Sequence, residues 1–250
     1  MRTSIVAVCL IAFLSTWAAA GPLRVVTEEW PPYNHTENGE VVGLATDAVR
    51  AVLDRAGIDY TIECLPWARA YGLALNDPNV LIYSILKVGD REPLFKWVKL
   101  EGFGVDMYLF RPLYRREIQV ATIEDAKAYR AGVTRESATH HFLLSQGFTE
   151  NVNLFPVRSE FLNILKSEPQ NERIDLTTGD LSSVRYWLRL AGKPDDYWEP
   201  VVPLFHRDLY MAFSLRTPDE VVEKVRCACK RVSAEGGFEA IRERFRNLPR

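Results

Sequence analysis

Short β-branched runs alternate with amphipathic segments along most of this chain, and that alternation restricts its fold more than any other feature. Leu23–Thr27, Tyr60–Cys64 and Val80–Ser84 read as strands. Between them, a helix begins at Asp47 with Ala48, Val49, Val52, Leu53 and Ala56 on one face, stopped by Gly57. Trp67–Leu75 is a second helix. Another set begins near Arg111: a short helix over Thr122–Ala128, a strand over Tyr129–Val133, and a helix capped by Ser137 that runs to Ser145. Then come a helix over Phe161–Ser167, a strand over Ile174–Thr178, a helix over Leu181–Leu190 and a strand over Tyr210–Leu215. Thr217-Pro218-Asp219-Glu220 reads as a capping box opening an amphipathic helix to Ala234, and Phe238–Arg246 is the last helix. This order predicts an α/β fold with largely parallel sheets. No flexible linker separates the two sets, so two lobes joined by crossing strands are expected. Residues 21–108 and 212–250 should form a discontinuous first lobe, and residues 109–211 the second, with a cleft between them.

The ends bear on compartment. Met1 and Arg2 precede an apolar run from Ile5 to Trp17, and Ala18-Ala19-Ala20 supplies the small residues that signal peptidase needs. Residues 1–20 are therefore expected to be a cleaved signal peptide, cut before Gly21. The run is shorter than the roughly 20 apolar residues of a bilayer span, and Cys9 lies too early for lipid attachment. The 31 basic and 33 acidic residues nearly balance, leaving no basic surface for nucleic acid or an anionic membrane. Beyond the leader stand Cys64, Cys227 and Cys229. Cys227 and Cys229 point about 200° apart on a helix and cannot pair with each other. A Cys64–Cys229 or Cys64–Cys227 bridge stays open beside the reading of free thiols.

Four local patterns, in order, carry a resemblance. The opening LRVVTEEWPPYNHTENGEVVGLATDAVRAVLDRAG, the segment YSILKVGDREPLFKWV, ERIDLTTGD and the C-terminal GGFEAIRERF together resemble the polar amino-acid class of periplasmic binding proteins, the extracellular solute-binding family 3 of ABC transporters. The resemblance spans roughly residues 23–246. It implies a two-lobed, type II-like periplasmic protein, a monomer, that captures a small polar ligand for an inner-membrane ABC permease, the ligand an amino acid or related carboxylate. No cofactor, metal or nucleic acid enters that picture.

Position by position, the resemblance implies a ligand site. Arg91 falls where the family grips the ligand α-carboxylate, and a guanidinium fork suits that group. Asp180 falls where an aspartate accepts the α-ammonium; after Gly179 it also reads as a helix N-cap. Trp30 and Trp67 occupy aromatic positions that can sandwich a side chain, and both read equally as core. Ser84 and Ser137 fall at hydrogen-bonding positions, Ser137 with the amides of Ala138 and Thr139 behind it. Glu28 joins this set at the end of the first strand. Leu86, in place of a family Ser or Thr, and Glu136, in place of a glycine, depart from the pattern, with Lys87 and Arg135 near enough to offset the Glu136 charge.

Two other readings stand beside this one. The same fold carries dehydratases acting on cyclic carboxylates, of the cyclohexadienyl dehydratase kind, and Glu28, Glu29 and Glu136 are the carboxyls available as a general acid. A sensor or partner-binding module without a permease is the third. The histidines do not form a hydrolytic or metal signature. His140 and His141 are adjacent on one helix and read as surface residues, with His35 and His206 far off in sequence.

Overall fold

The computed structural model describes residues 21–157 and 174–246. The expected signal peptide and the helix expected over Phe161–Ser167 lie outside the described residues.

The first set builds a β–α–β–α–β unit: β1 (Leu23–Thr27), α1 (Leu44–Ala56), β4 (Tyr60–Cys64), α2 (Trp67–Asn76) and β5 (Val80–Leu86), with a small hairpin of β2 (His35–Glu37) and β3 (Glu40–Val42) between β1 and α1. β1 lies parallel between β4 and β5, and every residue of β5 is buried, which accounts for its unbroken apolar reading. The helix of this unit closes on Gly57 in the left-handed conformation, as its sequence predicts.

The second unit contains α3 (Ile123–Ala126), β7 (Ala131–Thr134), α4 (Ala138–Ser145), β8 (Leu154–Val157), β9 (Leu176–Asp180) and α5 (Leu181–Leu190). β7 lies parallel to both β8 and β9. Two long strands join the units: β6 (Phe95–Pro112) and β10 (Trp198–Ser214). They pair antiparallel with each other, and β10 pairs with β5 on one side while β6 pairs with β9 on the other. One eight-stranded sheet results, ordered β4-β1-β5-β10-β6-β9-β7-β8. The expectation of largely parallel sheets is therefore corrected: both units are parallel inside, but the strands that join them are antiparallel to their neighbours.

Separate apolar cores sit on the two sides. Leu23, Val49, Leu81 and Phe213 share one core with Val222, Val225 and Phe238 of the C-terminal helices α6 (Asp219–Ala234) and α7 (Gly237–Arg246). Leu109, Val133, Leu143, Leu154 and Leu176 form another beneath β7 and β9. The chain thus returns to its first core after β10.

The capping box expected at the start of α6 is also corrected. Pro218, in extended conformation, is the N-cap residue, and no side chain caps the helix. Thr217 Oγ1 is buried without a hydrogen-bond partner. Cys64, Cys227 and Cys229 are free thiols. Among the described residues, no helix is long and apolar enough to cross a membrane.

Candidate functional site

Parallel strands present their C-terminal ends, and the loops that follow, on one side of each unit, where ligand crevices of α/β sheets form. Here the ends of β1, β5, β7 and β9 converge on one cavity. Its walls include Glu28, Trp30, Ser84, Leu86 and Arg91 from the first unit and Thr134, Ser137, Ala138, Thr139 and Thr178 from the second. The space between these walls, counting that open to solvent, is about 590 Å³.

Arg91 stands on a 3-10 turn, Gly89–Leu94, after β5. It is 4% exposed, unusual for a guanidinium. Its Cζ lies 5.0 Å from the Trp67 ring centroid and 5.1 Å from that of Tyr71, so the cation stacks on both aromatics. Tyr71 was not singled out in the sequence. It lies one helical turn after Trp67 on α2, and that i, i+4 spacing is the signal that finds it. Arg91 Nη2 donates to the Glu136 carbonyl at 2.6 Å, and Trp67 Nε1 donates to the same oxygen at 3.0 Å. Burial pulls the guanidinium pKa down, opposed by Tyr71 and Glu28. Among the described residues, no carboxylate lies within ion-pair distance of Arg91.

Two of the five described non-glycine residues with positive φ belong to this site. Ser84 has φ 57° and Glu136 φ 58°, the left-handed region that non-glycine residues seldom enter. At Ser84, inside β5, it coincides with the irregularity where the pairing with β10 passes from Tyr83 to Ile85, and Ser84 is 2% exposed with its Oγ buried and without a partner. At Glu136, where the family resemblance calls for glycine, it turns the carbonyl to Arg91 and Trp67. The Glu136 amide donates to His140 Nδ1 at 3.2 Å, and His140 Nε2 lies 2.8 Å from Glu150 Oε1. His140 is therefore not a surface residue as expected; it is 2% exposed and braces the turn before α4. Ser137 caps α4 by accepting from the His140 amide at 3.1 Å. Ala138 and Thr139 follow it on the cavity wall, and the geometry of a helix leaves its first amides free of intrahelical partners.

Glu28, at the end of β1, is half-buried in the cavity wall. Desolvation pushes its pKa up to about 8, and the Arg91 charge only partly opposes this. Its burial thus favours the protonated form of the carboxyl.

Asp180 is the residue whose position differs from expectation. It is 3% exposed and does not line the cavity. Oδ1 accepts from the Ser182 and Ser183 amides and from Tyr33 Oη, while Oδ2 accepts from Trp30 Nε1 at 2.9 Å and Ser183 Oγ at 2.6 Å. The carboxylate that was expected to receive a ligand ammonium instead caps α5 and holds two aromatics of the first unit. Tyr33 was likewise missed. It ends the Trp-Pro-Pro-Tyr loop, whose aromatic ends both reach Asp180. Of the seven expected site residues, the structure brings together Glu28, Trp30, Trp67, Ser84, Arg91 and Ser137 around the cavity, without Asp180.

No protein-family model matches the chain, and no curated protein sequence matches it. Solved structures do. A histidine kinase sensor domain with similarity to periplasmic binding proteins superposes with a TM-score of 0.79 at 15% identity, over 90% of this chain and 95% of the other. The arginine-, lysine-, histidine-binding protein of Geobacillus stearothermophilus gives 0.77 at 17% identity, over 89% and 94%. An ABC uptake transporter substrate-binding protein of Streptococcus pneumoniae with bound histidine gives 0.73 at 15% identity, over 89% and 91%. At these identities the likeness is one of fold, and the chain has the two-lobed α/β fold of periplasmic binding proteins.

Proposed function

We propose that this chain is a periplasmic solute-binding protein that captures a small polar carboxylate, an amino acid or a relative of one, and delivers it as a monomer to an ABC-type permease. Residues 21–108 and 212–250 would act as one lobe and residues 109–211 as the other, closing about β6 and β10 after export through the leader of residues 1–20. The observation that carries this reading is Arg91: a buried cation on the cavity wall, stacked on Trp67 and Tyr71 and bonded to the Glu136 carbonyl, with no carboxylate at ion-pair distance among the described residues. A buried charge is costly unless an opposite charge meets it, so the site is suited to an anion. Ser84, Ser137 and the first amides of α4 add donors around the same space. The structural neighbours that bind arginine, lysine or histidine show that this fold accommodates such ligands.

The test is to purify the protein from its native compartment, release what it holds and identify it by mass spectrometry. Purified protein should then be titrated with the same compound while its melting temperature is followed. A ligand at 100 times its Kd should stabilise the fold by about 2.7 kcal/mol. Absence of any small acid in the released material, with no thermal shift across amino and organic acids, would overturn the reading.

A second reading rests on Glu28. A carboxyl whose burial favours its protonated form, in a half-enclosed cavity, is equipped to act as a general acid, as a dehydratase on this fold requires. It is separated from the first by following product: a compound that is consumed by the parent protein, and bound but not consumed by Glu28→Gln, makes the protein an enzyme.

A further inference from the structure

The turn between β7 and α4 meets the first unit at Arg91, and its amides are held in different ways. The Arg135 amide donates to the Val157 carbonyl at 2.8 Å, and the Ser137 amide to the Thr134 carbonyl at 3.2 Å. Between them the Glu136 amide donates to His140 Nδ1, a side-chain acceptor. That bond holds a residue in the left-handed region, a conformation that persists only where its surroundings fix it. It also aims the Glu136 carbonyl, the oxygen that accepts from Arg91 Nη2 and Trp67 Nε1.

His140 accepts through Nδ1 only while its ring is neutral, with the proton on Nε2. A protonated ring carries a donor on both nitrogens, so Nδ1–H then faces the Glu136 N–H and the bond is lost. Turning the ring over does not restore it, because neither nitrogen of the cation accepts. Three titratable groups face the ring. Glu150 Oε1 lies 2.8 Å from Nε2, outside hydrogen-bond geometry, and its charge favours protonation. His141, beside it on α4, opposes protonation, and the Glu136 carboxylate, itself 3.4 Å from His141 Nε2, favours it. Burial outweighs these and pulls the His140 pKa down.

Resting on the solute-binding reading above for what Arg91 holds, we propose that His140 is a positioning residue of the site: its neutral ring sets the Glu136 carbonyl that joins Arg91 and Trp67 to the second unit, and its protonation in acid releases both. The cavity then loosens on the Arg91 side as the medium becomes acid, and a bound carboxylate loses the ordered guanidinium that receives it.

The full chain, freed of any leader and without added ligand, is labelled with nitrogen-15 and followed by NMR from pH 7 to pH 4. The Trp67 indole N–H and Arg91 Nε–H signals are identified by their loss in Trp67→Phe and Arg91→Lys. Both should shift in one titration with a midpoint below about 6.5, the indole proton moving upfield as its bond is lost. His140→Asn is the decisive variant. Its Oδ1 stands where Nδ1 stands and accepts the same amide, but it takes up no proton, so the titration should disappear while both signals keep their pH 7 positions. Glu150→Gln removes an anion that favours the protonated ring and should lower the midpoint. Signals that stay fixed in the parent, or that move equally in His140→Asn, overturn the proposal. So does loss of every indole signal together, through unfolding, before that of Trp67 has moved. A titration kept in His140→Asn and lost in His141→Gln assigns the response to the exposed His141–Glu136 pair and likewise overturns it. No ligand is added, so none of these outcomes decides the solute-binding reading, which stands or falls on the compound released from the native protein.

Discussion

Trp30 and Asp180 join the two halves of the molecule through one hydrogen bond: the indole Nε1 donates to Asp180 Oδ2 at 2.9 Å, across 150 residues of sequence. Tyr33 Oη reaches the other oxygen at 3.2 Å. The loop between these aromatics is therefore tied to the N-terminus of α5 by charge-assisted bonds in a water-poor setting, where such bonds are strongest. Trp30→Phe removes one of them while Ser183 still serves Oδ2, so a loss of about 1–2 kcal/mol is expected. Asp180→Ala also removes the α5 cap and should cost about 3 kcal/mol. Urea unfolding measures both, and small-angle scattering should show a larger radius of gyration. Unchanged stability and radius in Asp180→Ala would mean that the contact holds nothing together.

Arg91→Lys and Arg91→Ala separate charge from shape. Lysine keeps the charge but loses the fork and the flat face that lies on Trp67 and Tyr71. Its affinity for a bound carboxylate should fall about tenfold, and that of Arg91→Ala by about 2–5 kcal/mol. Folding should be much less affected, because the substitution also removes a desolvated cation. Calorimetry alongside urea unfolding distinguishes the two effects. Equal affinity in Arg91→Ala and the parent would take the guanidinium out of the binding surface.

Gly43 fixes the loop that carries Tyr33. Its φ is 126°, and a Cβ there would lie 2.4 Å from the Tyr33 carbonyl oxygen and 2.8 Å from the Asn34 amide nitrogen, both backbone atoms. Gly43→Ala should destabilise by about 2–4 kcal/mol through strain and displacement of that loop. Gly39→Ala, at φ 84° but with no atom within 4 Å of the new Cβ, should cost only about 1 kcal/mol. Equal costs for the two would show that the close approach at Tyr33 is relieved by movement.

Local elements were legible in the sequence where short-range rules decide them. The apolar spacing and Gly57 placed α1, β4 was read at its observed bounds, and Ser137 was recognised as the cap of α4. What escaped was long-range. β6 was missed because its alternation is broken by Glu101-Gly102, where the pairing with β10 lapses between Lys99 and Gly104. β10 was recognised only from Tyr210 onward, since Pro200 and Pro203 argue against a strand, and the register shifts beside both. In the site, residue types pointed to Arg91, Trp30 and Trp67, but no local pattern indicates that Asp180 is saturated. That depends on Trp30 and Tyr33 arriving from the other half.

Glu28 supplies the pH test. Its folded pKa is raised to about 8, against about 4.3 in an unfolded chain, because burial disfavours the anion. Arg91 is the charged group facing it and pulls the other way. Between those two values the folded state holds a proton that the unfolded state has released. Stability from this group is therefore greatest below about pH 4.3 and declines as pH rises toward about 8, by at most about 1.4 kcal/mol per pH unit. His140 has the opposite sign. Burial lowers its pKa, so its contribution is lost only as pH falls below about 6.5, and a comparison at pH 7 and pH 8 leaves it aside. Urea midpoints at these two values should fall with pH in the parent and much less in Glu28→Gln. Carboxylate affinity should weaken in the same direction, since an ionised Glu28 cancels the Arg91 charge. A parent protein whose stability and affinity run parallel to those of Glu28→Gln over this range would show that Glu28 is already ionised at pH 7.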